Sequence, residues 1–537
     1  MTDTAKPAKH SLSRSSIILI CLYAVYLVLT FIGAMRHEIW YDEGQAWNIA
    51  RDNDLAGIVA QMQYEGHPPL WHFLLHIFTS IGCTADVLPF ISWTITSLTA
   101  GLILWKAPFS PVLKGLLLFS GGFLFYWSVN SRVYCLILPI LVLIAMVYKK
   151  RNDLPIVYGL LVALLANTHI MMCGLVGILG IFMIIDLFTL WKSTTVRQNI
   201  MRLLGLFIAG LGVIALVAPL LLSFNSVNVG NDMVFNLRNI FNRVILSFFH
   251  IVESSIMDSN DELLPMGLKY AVDMIFSLVL ILMLIFLRHY RRPLIIQLVF
   301  MLFYIVISEV LWFSLPPRGA IFIFMFVFVY WLTKVEPENK SKDKTAKNRK
   351  FQLSPEISEK LKSIDSRHSH WYGVLLCVYC AATIPIGSYI LFADYATDYS
   401  QSKKCAEFVQ ENISQDAVFV VNRDLFSQYS AYLPGYKFYS MVVNDYITYS
   451  LQTKPEKSEY EKDYDEMDYE KAYEDLKGID ELYLMDFSII PFSDEYEVVY
   501  HGSGCLMGAI NRSDENVTIY KIDIDRFTSR RFTQTGN

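Results

Sequence analysis

"YDEGQAWNIARDNDLAGIVAQMQYEGHPPL", residues 41–70, decides how the rest of the chain is read. It is polar and charged, yet it sits between two apolar runs, 15–34 and 68–82. It opens on a carboxylate pair, Asp42-Glu43, and closes on His67-Pro68-Pro69. Within it Leu55, Ile58, Val59 and Met62 recur at i, i+3, i+4 and i+7, the spacing of an amphipathic helix, with Asp54 placed as its N-cap. An apolar stripe bordered by charge suits a helix lying on a membrane surface. Gly66 to Pro69 then breaks that helix and turns the chain back. The stretch predicts a compact loop (residues 35–67) that holds carboxylates and a histidine where lipid meets water.

The composition agrees with a membrane setting. The 537 residues are 54% hydrophobic and only 18% charged, with mean hydropathy +0.38; soluble domains carry about 25% charged residues. Runs of 18 or more apolar residues, such as 15–34 and 265–287, are long enough to cross a bilayer. The first follows a basic, Ser-rich start without a small-residue cleavage site, so it is expected to be a retained span. Membrane lipids are the expected surroundings, and no nucleic-acid partner is expected. Cys377 and Cys380 form C-x-x-C inside an apolar run, where buried cysteines are the ordinary reading.

Further apolar runs lie at 87–105, 115–130, 132–148, 154–171, 172–190, 202–224, 293–313, 319–333 and 371–392, which makes about 11–12 membrane helices. Short basic loops stay cytoplasmic. The candidates are the N-terminus, Lys106 with Lys114, Lys149 to Arg151, Lys192 to Arg202, Arg288 to Arg292, and the loop 334–370, where ten Lys/Arg stand against six Asp/Glu between 334 and 369. All fall on one side only if one early run does not cross. The run 68–82, fifteen residues with His72 and His76, is the best one to exclude. Eleven crossings then place 35–86, Asn130 to Arg132, the Asn167-Thr168-His169 turn, Ser314 to Arg318 and the C-terminus outside. Residues 1–392 form the membrane domain, and 393–537 a soluble outer domain.

That outer domain alternates helical and strand patterns: helices at 403–413, 423–433 and 469–479, and strands at 417–421, 481–485 and near "EYEVVYH" and "NVTIYKI". Such alternation predicts a small α/β unit. Outside the membrane Cys405 and Cys505 could form a disulfide. Ten acids between 456 and 475 predict a solvated loop, since the turn glycine of a calcium-binding EF-hand is absent. Asn412, Asn511 and Asn516 fit glycosylation sequons, which three matches in a polar domain can do by chance.

A first span ending in "WYDEG", a surface helix, and then "EGHPPLWHFLLH" resembles the GT-C membrane glycosyltransferases. The likeness is greatest to the branch with protein O-mannosyltransferases, aminoarabinose transferases and rhizobial-lipopolysaccharide-type sugar transferases. "NSRVYCLILPILVLIAM" (130–146) looks like the family's Ser-Arg-x-Tyr opening of a span, and "LLANTHIMMCGL" (164–175) like its Asn-Thr-His turn. The resemblance covers residues 15–220 and reaches the later spans by pattern only. It implies a polytopic α-helical fold, and an enzyme that moves a sugar from a polyprenyl-phosphate donor to a glycan, lipid or protein acceptor on the outer face, in a bacterial cytoplasmic membrane.

By that resemblance Asp42 is the general base, and Glu43 orients the acceptor, or a metal if there is one. The residues permit it. A departing phosphate is already a stable anion, so one carboxylate suffices to take the acceptor proton, whereas a glycosidase needs a second carboxyl as acid. Attack opposite the phosphate inverts the sugar carbon. Arg132 and Arg318 both lie at outer span ends, and a guanidinium grips phosphate oxygens in a bidentate fork. Tyr134 is expected to pack beside Arg132. His67 stands where the family often has Lys, which leaves it open as a phosphate contact, an acceptor contact or a metal ligand; His169 points to the same face.

His72 and His76, four apart, share a helical face, and with Asp42 or Glu65 a zinc site is conceivable. Packing or headgroup contact is the preferred reading, and the zinc-protease motif H-E-x-x-H is absent because Phe73 follows His72. A divalent metal stays an option, since dependence on one varies within the superfamily. Two other classes compete with the enzyme: a transporter or flippase of a lipid-linked glycan, which predicts charge near mid-membrane and an internal repeat, and a non-catalytic envelope scaffold. The sequence shows no repeat at a fixed period and gathers its charges in one outer loop.

Overall fold

The structure is a computed structural model that describes residues 13–65, 67–223, 252, 266–310, 316–335, 355–421, 426–450, 467–487, 496–507 and 515–528. The expected acidic loop 456–475 falls mostly outside the described residues, as do Asn511 and residues 336–354 of the expected basic loop.

Among the described residues eight helices are long and apolar enough to cross a membrane: Arg14–Arg36, Ala85–Lys106, Ile170–Leu190, Val196–Ala215, Gly267–Leu287, Arg291–Ser308, Pro317–Val335 and His368–Ala396. The first of them, α1 (Arg14–Arg36), starts where the Ser13 hydroxyl accepts from the Ser16 amide at 3.1 Å and turns Ile17, Ile18, Ile20, Val25 and Val28 outward. Outward apolar side chains are the signature of a lipid-facing span. Helix Pro316–Val335 is instead buried along most of its length and forms the centre of the bundle.

Three expected crossings are shorter than their apolar runs. The run 115–130 breaks into a helix, Pro111–Leu118, and one π-turn, Gly122–Tyr126. The break packs against the last span: a Cβ at Gly387 would lie 2.4 Å from the Gly121 Cα. The freed Gly121 amide is taken by the Thr383 hydroxyl at 3.3 Å, the side-chain rescue that makes broken helices tolerable in lipid. Pro155–Ala166 has 12 residues, and Tyr134–Val147 has 14 with Pro139 inside. The run 68–82 yields an 11-residue helix, Leu70–Ser80. That is about 16 Å long against a hydrocarbon core of about 30 Å.

The loops separate to two ends. At one, Asp186 accepts from Arg151 Nε (2.9 Å), Asn152 Nδ2 (3.1 Å) and Arg292 Nη1 (3.1 Å), and the His289 and His368 rings lie 4.7 Å apart, so the basic loops 149–151, 288–292 and 368 meet there. The other end carries residues 37–65, the 127–133 turn, Asn167 to His169 and the outer domain. This is the segregation that the charge pattern requires.

The outer domain holds a six-stranded sheet: β1 (Val418–Val421), β2 (Lys437–Ser440), β3 (Asp445–Tyr446), β4 (Leu482–Asp486), β5 (Glu497–Gly502) and β6 (Val517–Ile522), in the order β3-β2-β1-β4-β6-β5. β2, β1 and β4 run parallel; β3, β6 and β5 are antiparallel to their neighbours. Parallel strands need both faces covered. Phe419, Val421 and Phe438 face a core continuous with the membrane domain, while Val418, Val420 and Tyr439 face helix Tyr469–Leu476 and Phe527. Four expected strands and three expected helices are present; β2 and β3 are additions. Cys405 and Cys505 are both buried and are not joined in a disulfide, and Cys505 Sγ donates to Glu515 Oε2 at 3.2 Å.

Candidate active site

The stretch 41–70 folds into two helices and a turn rather than a loop and one helix. α2 (Tyr41–Asp52) follows an extended break at His37–Trp40, and α3 (Leu55–Glu65) and α4 (Leu70–Ser80) complete it. Asp54 caps α3 as its sequence position predicts, its Oδ1 accepting from the Gly57 amide at 2.7 Å. The apolar stripe of α3 is divided: Ile58 and Met62 pack on Ile49, and Leu55 and Val59 stay exposed.

Asp42 and Glu43 open α2, where negative charge is favoured by the helix dipole. Successive helical residues point about 100° apart, and the two acids go to different places. Glu43 is fully buried. Its Oε2 accepts from the Trp40 amide at 3.0 Å and from His37 Nε2 at 3.2 Å, and its Oε1 accepts from the Ser131 amide. His37 Nδ1 lies 3.4 Å from Asp394 Oδ2. Burial alone would lower the pKa of His37, but the Glu43 and Asp394 carboxylates outweigh it and push it up to about 10. An imidazolium thus ties α2 to the last span, and Glu43 serves as a brace.

Asp42 stays partly exposed, with its side chain 34% accessible and its Oδ2 paired to Arg132 Nη1. The Arg132 guanidinium stands 5.6 Å from the Trp40 ring and 5.8 Å from the Tyr134 ring. Tyr134 does pack beside Arg132, and its hydroxyl also accepts from Arg318 Nε at 3.1 Å. Arg318 comes from the first turn of helix Pro316–Val335 and is buried. The His67 and His169 rings lie 4.7 Å apart, and Tyr134 is 5.5 Å from His169. His169 Nδ1 accepts from the Met171 amide at 3.1 Å, which leaves Nε2 to carry the ring proton. Burial, joined by the charges of Arg132 and Arg318, holds both histidines well below the usual imidazole range. All seven residues expected at the site, Asp42, Glu43, His67, Arg132, Tyr134, His169 and Arg318, therefore converge at one end of the bundle, Glu43 behind the others.

One residue was not expected there as a site residue in its own right. Glu65, the last residue of α3, accepts from Gln45 Nε2 at 2.8 Å. Burial and then the Asp42 charge push its carboxyl up to about 7, against the Gln45 hydrogen bond and Arg132. Its sequence signal was an acid placed directly before the Gly-His-Pro-Pro turn. In the His72–His76 pair, His76 Nδ1 bonds the Ala50 carbonyl oxygen at 2.8 Å, and His72 is buried one turn away. Among the described residues no three His, Cys, Asp or Glu side chains converge as metal ligands.

The outer domain covers α2. Asn48 Nδ2 donates to the Ser427 carbonyl (2.9 Å), the Ser430 hydroxyl (2.9 Å) and the Thr448 carbonyl (2.8 Å). Gly44 permits the approach, for a Cβ there would lie 2.5 Å from the Gln428 Cα.

The fold is a polytopic helical bundle carrying a small C-terminal α/β domain. A solved structure with this fold, ArnT from Cupriavidus metallidurans in the apo state, matches with a TM-score of 0.52 over 96% of this chain and 99% of that one, at 12% sequence identity. No family model and no curated protein sequence matches the chain.

Proposed function

We propose that the chain is a glycosyltransferase that takes a sugar from a polyprenyl-phosphate donor and gives it to an acceptor hydroxyl at the outer face of a bacterial cytoplasmic membrane. The observation that carries this reading is a partly exposed carboxylate, Asp42, paired with Arg132, with a second guanidinium, Arg318, joined to the same group through the Tyr134 hydroxyl, at the end of the bundle away from the basic loops. The likeness to ArnT, whose name is that of an aminoarabinose transferase, supports it at the level of fold.

In the resting arrangement Arg132 is committed to Asp42. A donor phosphate entering between Arg132 and Arg318 competes for that guanidinium and frees Asp42. The acceptor oxygen then attacks the anomeric carbon, its proton passes to Asp42, and the bond from carbon to phosphate oxygen breaks with its electron pair on the phosphate. The guanidiniums balance the charge that gathers there. Neutral His67 and His169 supply hydrogen bonds without adding a third cation. The step inverts the anomeric centre.

The test is purified protein in detergent with radiolabelled polyprenyl-phosphate sugar and crude envelope acceptors. Transfer of label with inversion is the expected result. Movement of the donor across vesicle membranes without transfer would replace the enzyme with a transporter.

A further inference from the structure

We propose that the outer α/β domain is a working part of the site: through Gln45 it positions the Glu65 carboxylate beside Asp42, which makes Gln45 and Ser427 positioning residues. This rests on the glycosyltransferase reading above.

Gln45 lies one turn along α2 from Tyr41 and is 3% exposed. Its amide uses its full hydrogen-bonding capacity. Nε2 donates to Glu65 Oε1 at 2.8 Å and to the Ser450 carbonyl at 2.9 Å. Oε1 accepts from the Ser427 hydroxyl at 2.6 Å and from the Ser450 amide at 2.9 Å. The reversed amide would set donor against donor at the Ser450 amide and acceptor against acceptor at the Ser450 carbonyl, so only this orientation fits. Three of the four bonds go to the outer domain, and the fourth goes to Glu65. Asn48 and Asn53 repeat the grip further along, on Thr448 and, at 3.1 Å, on the Tyr449 hydroxyl. A displacement of the outer domain therefore moves the Gln45 amide, and with it the position and charge of Glu65.

The other charged and titratable groups facing Glu65 are Asp42 from α2, Arg132 from the 127–133 turn and Tyr449 from the outer domain. Asp42 opposes ionisation of Glu65, and Arg132 favours it. The Gln45 hydrogen bond favours the carboxylate too, because an amide N–H is a better partner for the charged oxygen than for the neutral acid. Whether Glu65 is charged decides whether one or two negative charges share the site with Arg132 and Arg318, and so how strongly those guanidiniums are free to hold a donor phosphate. The outer domain sets that balance without touching the reacting atoms.

The experiment uses the full chain in lipid nanodiscs. Infrared carboxyl bands are titrated, with Glu65→Gln identifying the Glu65 band, and the pH profile of sugar transfer is measured alongside. Wild type is expected to show a Glu65 midpoint near 7. Gln45→Met should raise that midpoint by about one unit, the size of losing one hydrogen bond to a carboxylate. Ser427→Ala, which deletes one of the three outer-domain bonds to Gln45 and leaves the Glu65 bond in place, should move it the same way by less. The matching limb of the transfer profile should follow both shifts. If both variants keep their fold and the midpoint stays put, the coupling is wrong. If the midpoint moves and the transfer profile does not, the positioning role is wrong. Should Gln45→Met fail to fold, Ser427→Ala carries the test. Should wild type transfer no sugar, the glycosyltransferase reading fails, while the infrared titration still decides the coupling.

Discussion

Asp42→Asn separates chemistry from architecture at this site. The change is close to isosteric, and it removes the proposed proton acceptor and one half of the Asp42–Arg132 pair. The side chains of that pair are 34% and 14% exposed, so the structural loss should fall near the surface-pair range of about 0–1 kcal/mol. In a chain of this size that is a shift of only a few degrees in melting temperature. The loss of a positioned general base is larger, about 10²–10⁴-fold in rate, or roughly 3–5 kcal/mol of barrier. The two effects differ enough to be read apart. Wild type and Asp42→Asn are compared for thermal unfolding in detergent and for initial rates with saturating labelled donor. The expected outcome is a nearly unchanged melt and a kcat at least about 100-fold lower. The donor should bind no more weakly, because Arg132 is released from its partner. A variant that keeps its rate within about threefold would remove Asp42 as the base; one that unfolds would show that the pair is architectural.

Three further outcomes follow from the same geometry. His37 has a folded pKa raised to about 10 from an ordinary 6.5; its contribution to stability is fully present below pH 6.5 and is lost as pH rises through 10. Thermal melts should fall between pH 7 and 10, and His37→Gln should be less stable at pH 7 with that slope flattened. Gly44→Ala places a Cβ 2.5 Å from the Gln428 Cα, so α2 and the outer domain must part, at a cost of about 1–3 kcal/mol. A lower melting temperature, measured by scanning fluorimetry, and faster proteolysis of the outer domain would register it, and an unchanged melt would show that the contact is slack. Arg318→Lys loses the planar donor that meets the Tyr134 hydroxyl at 3.1 Å; about tenfold weaker donor binding is expected, the worth of roughly 1.4 kcal/mol, measured by titration with polyprenyl phosphate.

The span pattern was legible because lipid imposes it: only long apolar runs survive there, and basic loops mark one side. The shorter elements were not. α2 carries Gln45 and Asn48 on its buried face, so it shows no apolar period, and apart from Glu65 the partners of those two side chains lie about 380 or more residues away. β2, "KFYS", is four residues long and reads as a strand only beside Val418–Val421. Six of the seven candidate site residues sit in short motifs that the family resemblance marks, and Arg318 was placed by its position at a span end. Glu65 lies in such a motif too, but its unusual carboxyl depends on burial and on Asp42, Arg132 and Gln45, and no local pattern encodes those. The Cys405–Cys505 pair failed for a related reason: two cysteines in one outer domain satisfy composition, while a disulfide requires a particular geometry.

The adjacency of Asp42 and Glu43 has a physical consequence for how such acid pairs are read. On a helix, neighbours in sequence do not face each other, so two acids in a row cannot act together on one substrate atom. One must be spent elsewhere. Here Glu43 is spent on the Trp40 and Ser131 amides and on His37, which fixes the helix start against the 127–133 turn and the last span. That same turn carries Arg132, the partner of Asp42. The buried acid thus holds in register the two segments that carry the Asp42–Arg132 pair. Losing Glu43 should therefore loosen both Asp42 and Arg132 at once. Glu43→Gln, which keeps the shape and drops the charge opposite His37, is expected to lower kcat and stability together, in contrast to Asp42→Asn, which lowers kcat alone.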